Sequence, residues 1–324
     1  MTGRRAGEVG SLSSSIGKMP SGPAATNAEG RALWRLRRRC AMMPRMPSLW
    51  RLTPLLAALL VSCAPAPEPP AAAGLSQCTT DSLDTLYKGV FTFGTDQPVY
   101  PPWYMGDNPG NGEGFEAAVA YAVAARLGYP SEDVRWVRVP FNAALTPGDK
   151  EFDASLSEFS ITDQRRAAVD FSTPYFDVTQ AVVAVKSSPA AGARSVDALK
   201  PLRLGVQVGT TSYTAATSVD GTNPVAVYNT NLDAKMALST AEIDALVVDL
   251  PTAFSVANEL RDGVIVGQLP ASTDDVEQFG IVLNKDSSLT RCVSSAVDAL
   301  RDDGTLAALE NRWLVEAGRA PQLS

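Results

Sequence analysis

"FDASLSEFSITDQRRAAVDFSTPYF", Phe152–Phe176, is the stretch on which the reading of this chain turns. A hydroxyl-bearing Ser-Ile-Thr turn stands just ahead of two adjacent arginines, Arg165 and Arg166, and a second turn, "DFSTPY", follows. Paired arginines in a loop ordinarily face solvent. A pocket for a carboxylate uses the same materials: hydroxyls, free backbone N–H groups and one guanidinium set for a bidentate pair. The sequence on either side decides between these readings.

Outward from this stretch, strands and helices alternate. Upstream, "GVFTFGTD" reads as a strand running into a polar turn, and "VRWVRVPF" as another strand. Between them, Phe115, Val119, Ala122, Val123 and Leu127 form a helical stripe closed by Gly128. Downstream come "QAVVAVK", "RLGVQVGTTSYTAA", "PVAVYN", a helix around Leu232–Ser239, "DALVVDL" and "FGIVLNK". Two helical segments, "SLTRCVSSAVDALRDDG" and "TLAALENRWLVEAG", end the pattern. The alternation predicts an α/β fold with parallel sheets. The glycines of "GDNPGNGEG" lack the strand–turn–helix setting of a phosphate cradle. No cofactor or metal site is expected.

Composition narrows the function. The chain has 324 residues, 45% apolar and 19% charged, enough for a sizeable core. Ten of its 28 Lys+Arg but only two of its 35 Asp+Glu precede Cys63, so the remainder is strongly acidic. Nucleic acid is therefore not an expected partner. There is no histidine, which excludes imidazole-based catalysis. Near the amino terminus, Arg45 and Arg51 flank the short apolar run Leu52–Val61, in the layout of a secretory signal. The Pro/Ala-rich Ala64–Gly74 that follows reads as a semi-rigid tether, about 3 Å long per residue. "LVSC" at its start resembles the lipobox of bacterial lipoproteins, which makes Cys63 the expected lipidated residue. Cys78 and Cys292 then remain in an exported domain and suggest one disulfide, with two separate buried thiols as the alternative.

Seven pieces, in order, resemble the family 3 extracellular solute-binding proteins, the polar amino acid receptors of bacterial ABC importers. They are "GTDQPVYPPW", "GEGFEAAVAYAVAARLG", the Phe152–Phe176 stretch, "LGVQVGTTSY", "IDALVVD", "FGIVLNK" and "LRDDGTLAALENRW". The resemblance implies a two-lobed, type II periplasmic-binding-protein-like α/β fold, with a ligand cleft between the lobes and two crossing hinge strands. It implies a leader and signal at 1–62, a lipidated Cys and tether at 63–85, one lobe at 86–185 plus 283–324, and a second at 186–282. The crossings are expected near "VVAVK" and "FGIVL", with both Cys78 and Cys292 in the first lobe.

The site residues follow by match to the family pattern. Arg165 is expected to pair with the ligand α-carboxylate, helped by Ser160 and, from the second lobe, Thr211. Asp249 is expected to receive the α-ammonium, so that neither charge of a zwitterion is buried unpaired. Tyr100 and Phe141 match walls around the ligand side chain, and Asp96 an acid that reaches basic side chains. Each has a competing structural role: a surface arginine, a helix cap at Asp249, core aromatics, a turn acid at Asp96. Glu158 departs from the pattern, since many relatives carry Gly or Ser there, and it adds an acid beside the expected carboxylate site. The implied role is a monomeric, non-enzymatic lipoprotein on the extracytoplasmic face of the membrane. It would deliver a polar amino acid, cationic ones included, or a similar small solute to a permease and its ATPase. A sensory ligand-binding protein and a dehydratase-like enzyme on the same fold are the alternatives.

Overall fold

The computed structural model of the protein describes residues 74–271, 276–314 and 320–324. The leader, the lipobox and Cys63 lie outside these residues. The first lobe begins with β1 (Phe91–Thr95), α1 (Phe115–Arg126), β2 (Val134–Arg138) and α2 (Phe141–Ala144). It continues through β3 (Ala154–Ser155), α3 (Asp163–Arg166) and β4 (Asp170–Phe171). After β5 (Phe176–Val178) the chain enters the second lobe with β6 (Gln180–Val185), β7 (Leu204–Gln207), α4 (Thr211–Ser218) and β8 (Ala226–Tyr228). That lobe is completed by α5 (Asn231–Ser239), β9 (Ala245–Asp249), α6 (Leu250–Glu259) and β10 (Gly263–Gln268). The chain returns through β11 (Glu277–Phe279) and ends in β12 (Val282–Leu283), α7 (Thr290–Asp302) and α8 (Thr305–Trp313).

Each lobe has its own five-stranded sheet, ordered β2-β1-β3-β12-β4 and β10-β6-β9-β7-β8, and β11 pairs with β5 between them. Both sheets are mixed rather than wholly parallel. The βαβ units run parallel (β1 with β2 and β3, β7 with β8 and β9), whereas β12 and β6, the strands next to the crossings, run antiparallel to their neighbours. A chain that leaves a lobe and re-enters it by adjacent crossing strands returns in the opposite direction.

The second sheet shows how an apolar run becomes a central strand. In β6, Ala181 and Val183 face one core and Val182 and Ala184 the other. In β9, Leu246 and Val248 join the first of these cores, and Ala245 and Val247 the second. Both faces are covered, so no polar alternation is needed. The first lobe is filled by aromatic packing: Trp103 meets Phe115, Phe176 and Phe279 at ring-centroid distances of 6.0, 5.7 and 5.5 Å. Cys78 and Cys292 are joined by a disulfide that spans 214 residues of sequence and lies in that core.

Three expected boundaries differ. "VVAVK" is not a crossing; it is the centre of the second sheet, and the outward crossing is Phe176–Val178. "FGIVL" is not one strand, because β11 ends at Phe279 on the hinge and β12 begins at Val282 in the first sheet. The last residues belong with the second lobe rather than the first: Leu323 packs in one of its cores, Gln322 bridges Gln268, and Ser324 O accepts from Val196 N–H at 2.9 Å.

Candidate functional site

The ends of β1, β3, β7 and β9 converge on one cleft. It encloses about 490 Å³ of empty space, part of it open to solvent. Its lining includes Asp96, Tyr100, Phe141, Glu158 and Arg165 from the first lobe, and Thr211 and Asp249 from the second. Seven of the eight residues singled out in the sequence are thus brought together. The eighth, Ser160, lies beneath them, its hydroxyl 3.0 Å from that of Thr211.

Arg165 is placed by the turn that precedes it. Thr162 caps α3 by accepting from Arg165 N–H at 3.2 Å. The guanidinium then lies over the Phe141 ring, 5.5 Å from its centroid, and Phe141 stacks on Phe159 at 5.0 Å. Its Nη1 donates to Ser160 O at 2.6 Å and its Nη2 to Gly209 O, in the second lobe, at 3.0 Å. Gly209 has φ +78°, and a side chain there would collide with Asn142 across the cleft, so this approach requires glycine. Burial pulls the guanidinium below its ordinary value, opposed by Glu277 and Asp249. Arg166, next in sequence, is exposed and lies over Phe171.

Asp249 stands at the N-cap of α6, ahead of Pro251, yet its carboxylate makes no capping bond. Oδ1 instead accepts from Gln180 Nε2 at 2.7 Å, which turns the acid toward the cleft. Gln180 is itself fixed by Ser212 Oγ, which donates to its Oε1 at 2.7 Å, and it also donates to Glu277 Oε2 at 3.1 Å. Glu277 Oε1 accepts from Ser160 Oγ at 2.7 Å, leaving the Thr211 hydroxyl to donate to Ser160. A continuous polar floor thus runs from Asp249 to Thr211 and links the two lobes at the hinge. Burial, then Glu277, raises the Asp249 carboxyl well above its ordinary range.

The remaining residues form the walls. The Tyr100 hydroxyl accepts from Leu232 N–H of the second lobe at 3.2 Å, and burial pushes its pKa to about 12. Asp96 is raised by burial, against the Gln97 and Phe141 N–H groups and Arg138. Glu158 Oε2 accepts from Thr252 Oγ1 at 2.8 Å, and burial followed by Asp249 and Glu116 raises its carboxyl well above the usual range. Glu277, Gln180 and Thr252 had no signal in the sequence. Glu277 and Gln180 sit on and beside the hinge strands, where only the fold brings them under the cleft.

The family model of the bacterial extracellular solute-binding proteins, family 3, matches residues 91–316. The L-arginine-binding protein of Pseudomonas aeruginosa is 30% identical over 68% of this chain and 90% of its own length. The L-cystine-binding protein TcyJ of Escherichia coli is 28% identical over 66% of this chain and 79% of its own. Among solved structures, an ancestral arginine-binding protein bound to glutamine superposes with a TM-score of 0.60 at 28% identity, covering 71% of this chain and all of that one. With two α/β lobes, two crossing strands and a polar cleft between them, the chain belongs to family 3 of the bacterial extracellular solute-binding proteins.

Proposed function

We propose that this protein is the receptor of an ABC importer, taking a polar and preferably cationic amino acid in the cleft between its lobes. The observation that carries this reading is the opposition of Arg165 and Asp249, one from each lobe, across one cleft. A zwitterion between them pairs both of its charges, and the two pairs form together only when the lobes meet. The cationic preference is supported by charge: Asp96, Glu158 and Asp249 line the cleft against the single guanidinium of Arg165. A second carboxylate on the ligand would meet these acids and, among the described lining residues, no further cation. The ligand is bound and released unchanged, and the partners are a permease and its ATPase.

The anchor completes the reading. Lipidation of Cys63 would hold the domain on the extracytoplasmic face, the Pro/Ala-rich tether standing it ~30 Å from the bilayer. Cys63→Ser should release the protein from membranes, and a wild-type chain found unlipidated would refute the anchor alone. For the ligand, a thermal-shift screen across the amino acids is the test. A true ligand at 100 times its Kd adds about 2.7 kcal/mol of stability. A panel in which no amino acid shifts the transition would overturn the receptor reading.

A further inference from the structure

Glu158 stands in the left-handed backbone region, φ 55°, which residues other than glycine adopt at a cost. Groups from both lobes hold it there. Its N–H donates to Glu116 Oε1 at 2.7 Å, and the Tyr175 hydroxyl donates to the same oxygen. From the second lobe the Thr252 hydroxyl donates to Glu158 Oε2 at 2.8 Å while accepting from Trp103 Nε1–H at 2.7 Å. Glu116, Trp103 and Thr252 are buried, so the carboxyl is fixed by groups that cannot swing away into solvent.

The titratable groups facing it are Asp96 and Tyr100 beyond β1, Tyr104, Glu116 from α1, Tyr175 and, across the cleft, Asp249. None of them is cationic, and the guanidinium of the cleft lining, Arg165, acts on Asp249. Among the described residues no Lys or Arg is ion-paired or hydrogen-bonded to Glu158, Glu116 or Asp249, and the Arg165 guanidinium donates to two carbonyls. Glu116 Oε2 is buried with no hydrogen-bond partner among the described residues. A carboxylate in such a place needs a cation from outside or must keep its proton.

We propose that Glu158 selects the solute: with its backbone N–H held by Glu116 and its carboxyl by Thr252, it receives the cationic side-chain group of the ligand. This rests on the reading of the cleft as the amino-acid site. The exchange balances as a protonated Glu158 carboxyl plus a ligand ammonium or guanidinium giving a carboxylate–cation pair and one proton released to solvent. A ligand whose side chain is neutral sends its α-ammonium to Asp249 and offers Glu158 no second cation, so it leaves the proton in place.

Calorimetric titration of the intact protein with L-arginine and with L-citrulline, its neutral isostere, tests this. Each is run at neutral pH in two buffers of different ionisation enthalpy, which counts protons released. Arginine should bind more tightly by about tenfold or more and release more protons than citrulline. Glu158→Gln keeps an acceptor for Thr252; it should bring the two ligands within roughly threefold and abolish the extra release. A preference that survives in Glu158→Gln, or is lost in Asp96→Asn instead, overturns the proposal. Equal proton release by both ligands from the wild-type protein does so without any variant. If a neutral amino acid binds and arginine gains nothing over it, the receptor reading stands and this inference falls; if no amino acid binds, both fall.

Discussion

Arg165 and Arg166 are neighbours in sequence with opposite surroundings. Arg165 lies in the cleft on the Phe141 ring, tied to carbonyls of both lobes, whereas Arg166 faces solvent. Removing one partner of a desolvated charge pair costs about 2–5 kcal/mol, so Arg165→Ala should weaken ligand binding roughly 30-fold or more. Arg166→Ala should change it little. Equal losses in a binding titration would mean that the guanidinium in the cleft is not the carboxylate partner. Glu158 invites a second substitution. Glu158→Gly relieves a left-handed backbone costing about 1–3 kcal/mol and removes a carboxyl from the cleft, against about 0.5–1 kcal/mol of added chain entropy. The ligand-free variant should therefore resist urea better than the wild type while losing its cation preference; a lower unfolding midpoint would contradict the strain argument. These residues were legible because they fall in one short segment that matches the family pattern. Glu277 and Gln180 were not, since each acquires its role from partners about a hundred positions away.

At the scale of elements, most of the longer strands could be read, β10 excepted, but their allegiance could not. "QAVVAV" is apolar on both faces whether it crosses a hinge or fills a sheet, and only its pairing with β9 and β10 places it in the second lobe. The split of "FGIVLNK" into β11 and β12 has the same origin: Gly280 passes close against Ile161 and Phe171 where the chain turns from hinge to sheet. Helices α1 and α5 were legible to within a residue or two, and the ends of α1 carry local signals, Gly114 and Gly128. The disulfide acts at this scale as well. It joins the segment before β1 to α7, and both half-cystines pack in the first-lobe core. A Cys78→Ser/Cys292→Ser protein should lose about 2–5 kcal/mol of stability. Its ligand affinity should remain within roughly threefold of wild type, since both half-cystines belong to one lobe and neither lines the cleft. A large loss of affinity in a still-folded variant would show that the bridge constrains the hinge.

Over the whole molecule, the acids of the cleft and of the layer behind it make stability depend on pH in an unusual direction. Acids held by partners, such as Asp170 beside Lys285 and Asp244 beside Arg203, have lowered pKa values, so their contribution is present above about 4 and lost only in stronger acid. Near neutrality they are already fully ionised in both states and add no slope. Glu116 behaves oppositely. Burial raises it from 4.5 to about 7, so the folded state holds a proton that the unfolded chain releases between these values. Its favourable contribution is complete below about 4.5 and disappears as pH rises through about 7, a change of roughly 3 kcal/mol. Glu158 and Asp249 are raised too and slope the same way. The ligand-free protein should accordingly be more stable at about pH 5 than at about pH 8 in urea unfolding. Glu116→Gln retains an oxygen for the Tyr175 hydroxyl and the Glu158 N–H but has no proton to lose, so it should flatten much of that slope. A wild-type profile that is level, or that rises toward pH 8, would mean that these carboxyls are ionised in the folded protein, and that a cation inside the cleft already balances them.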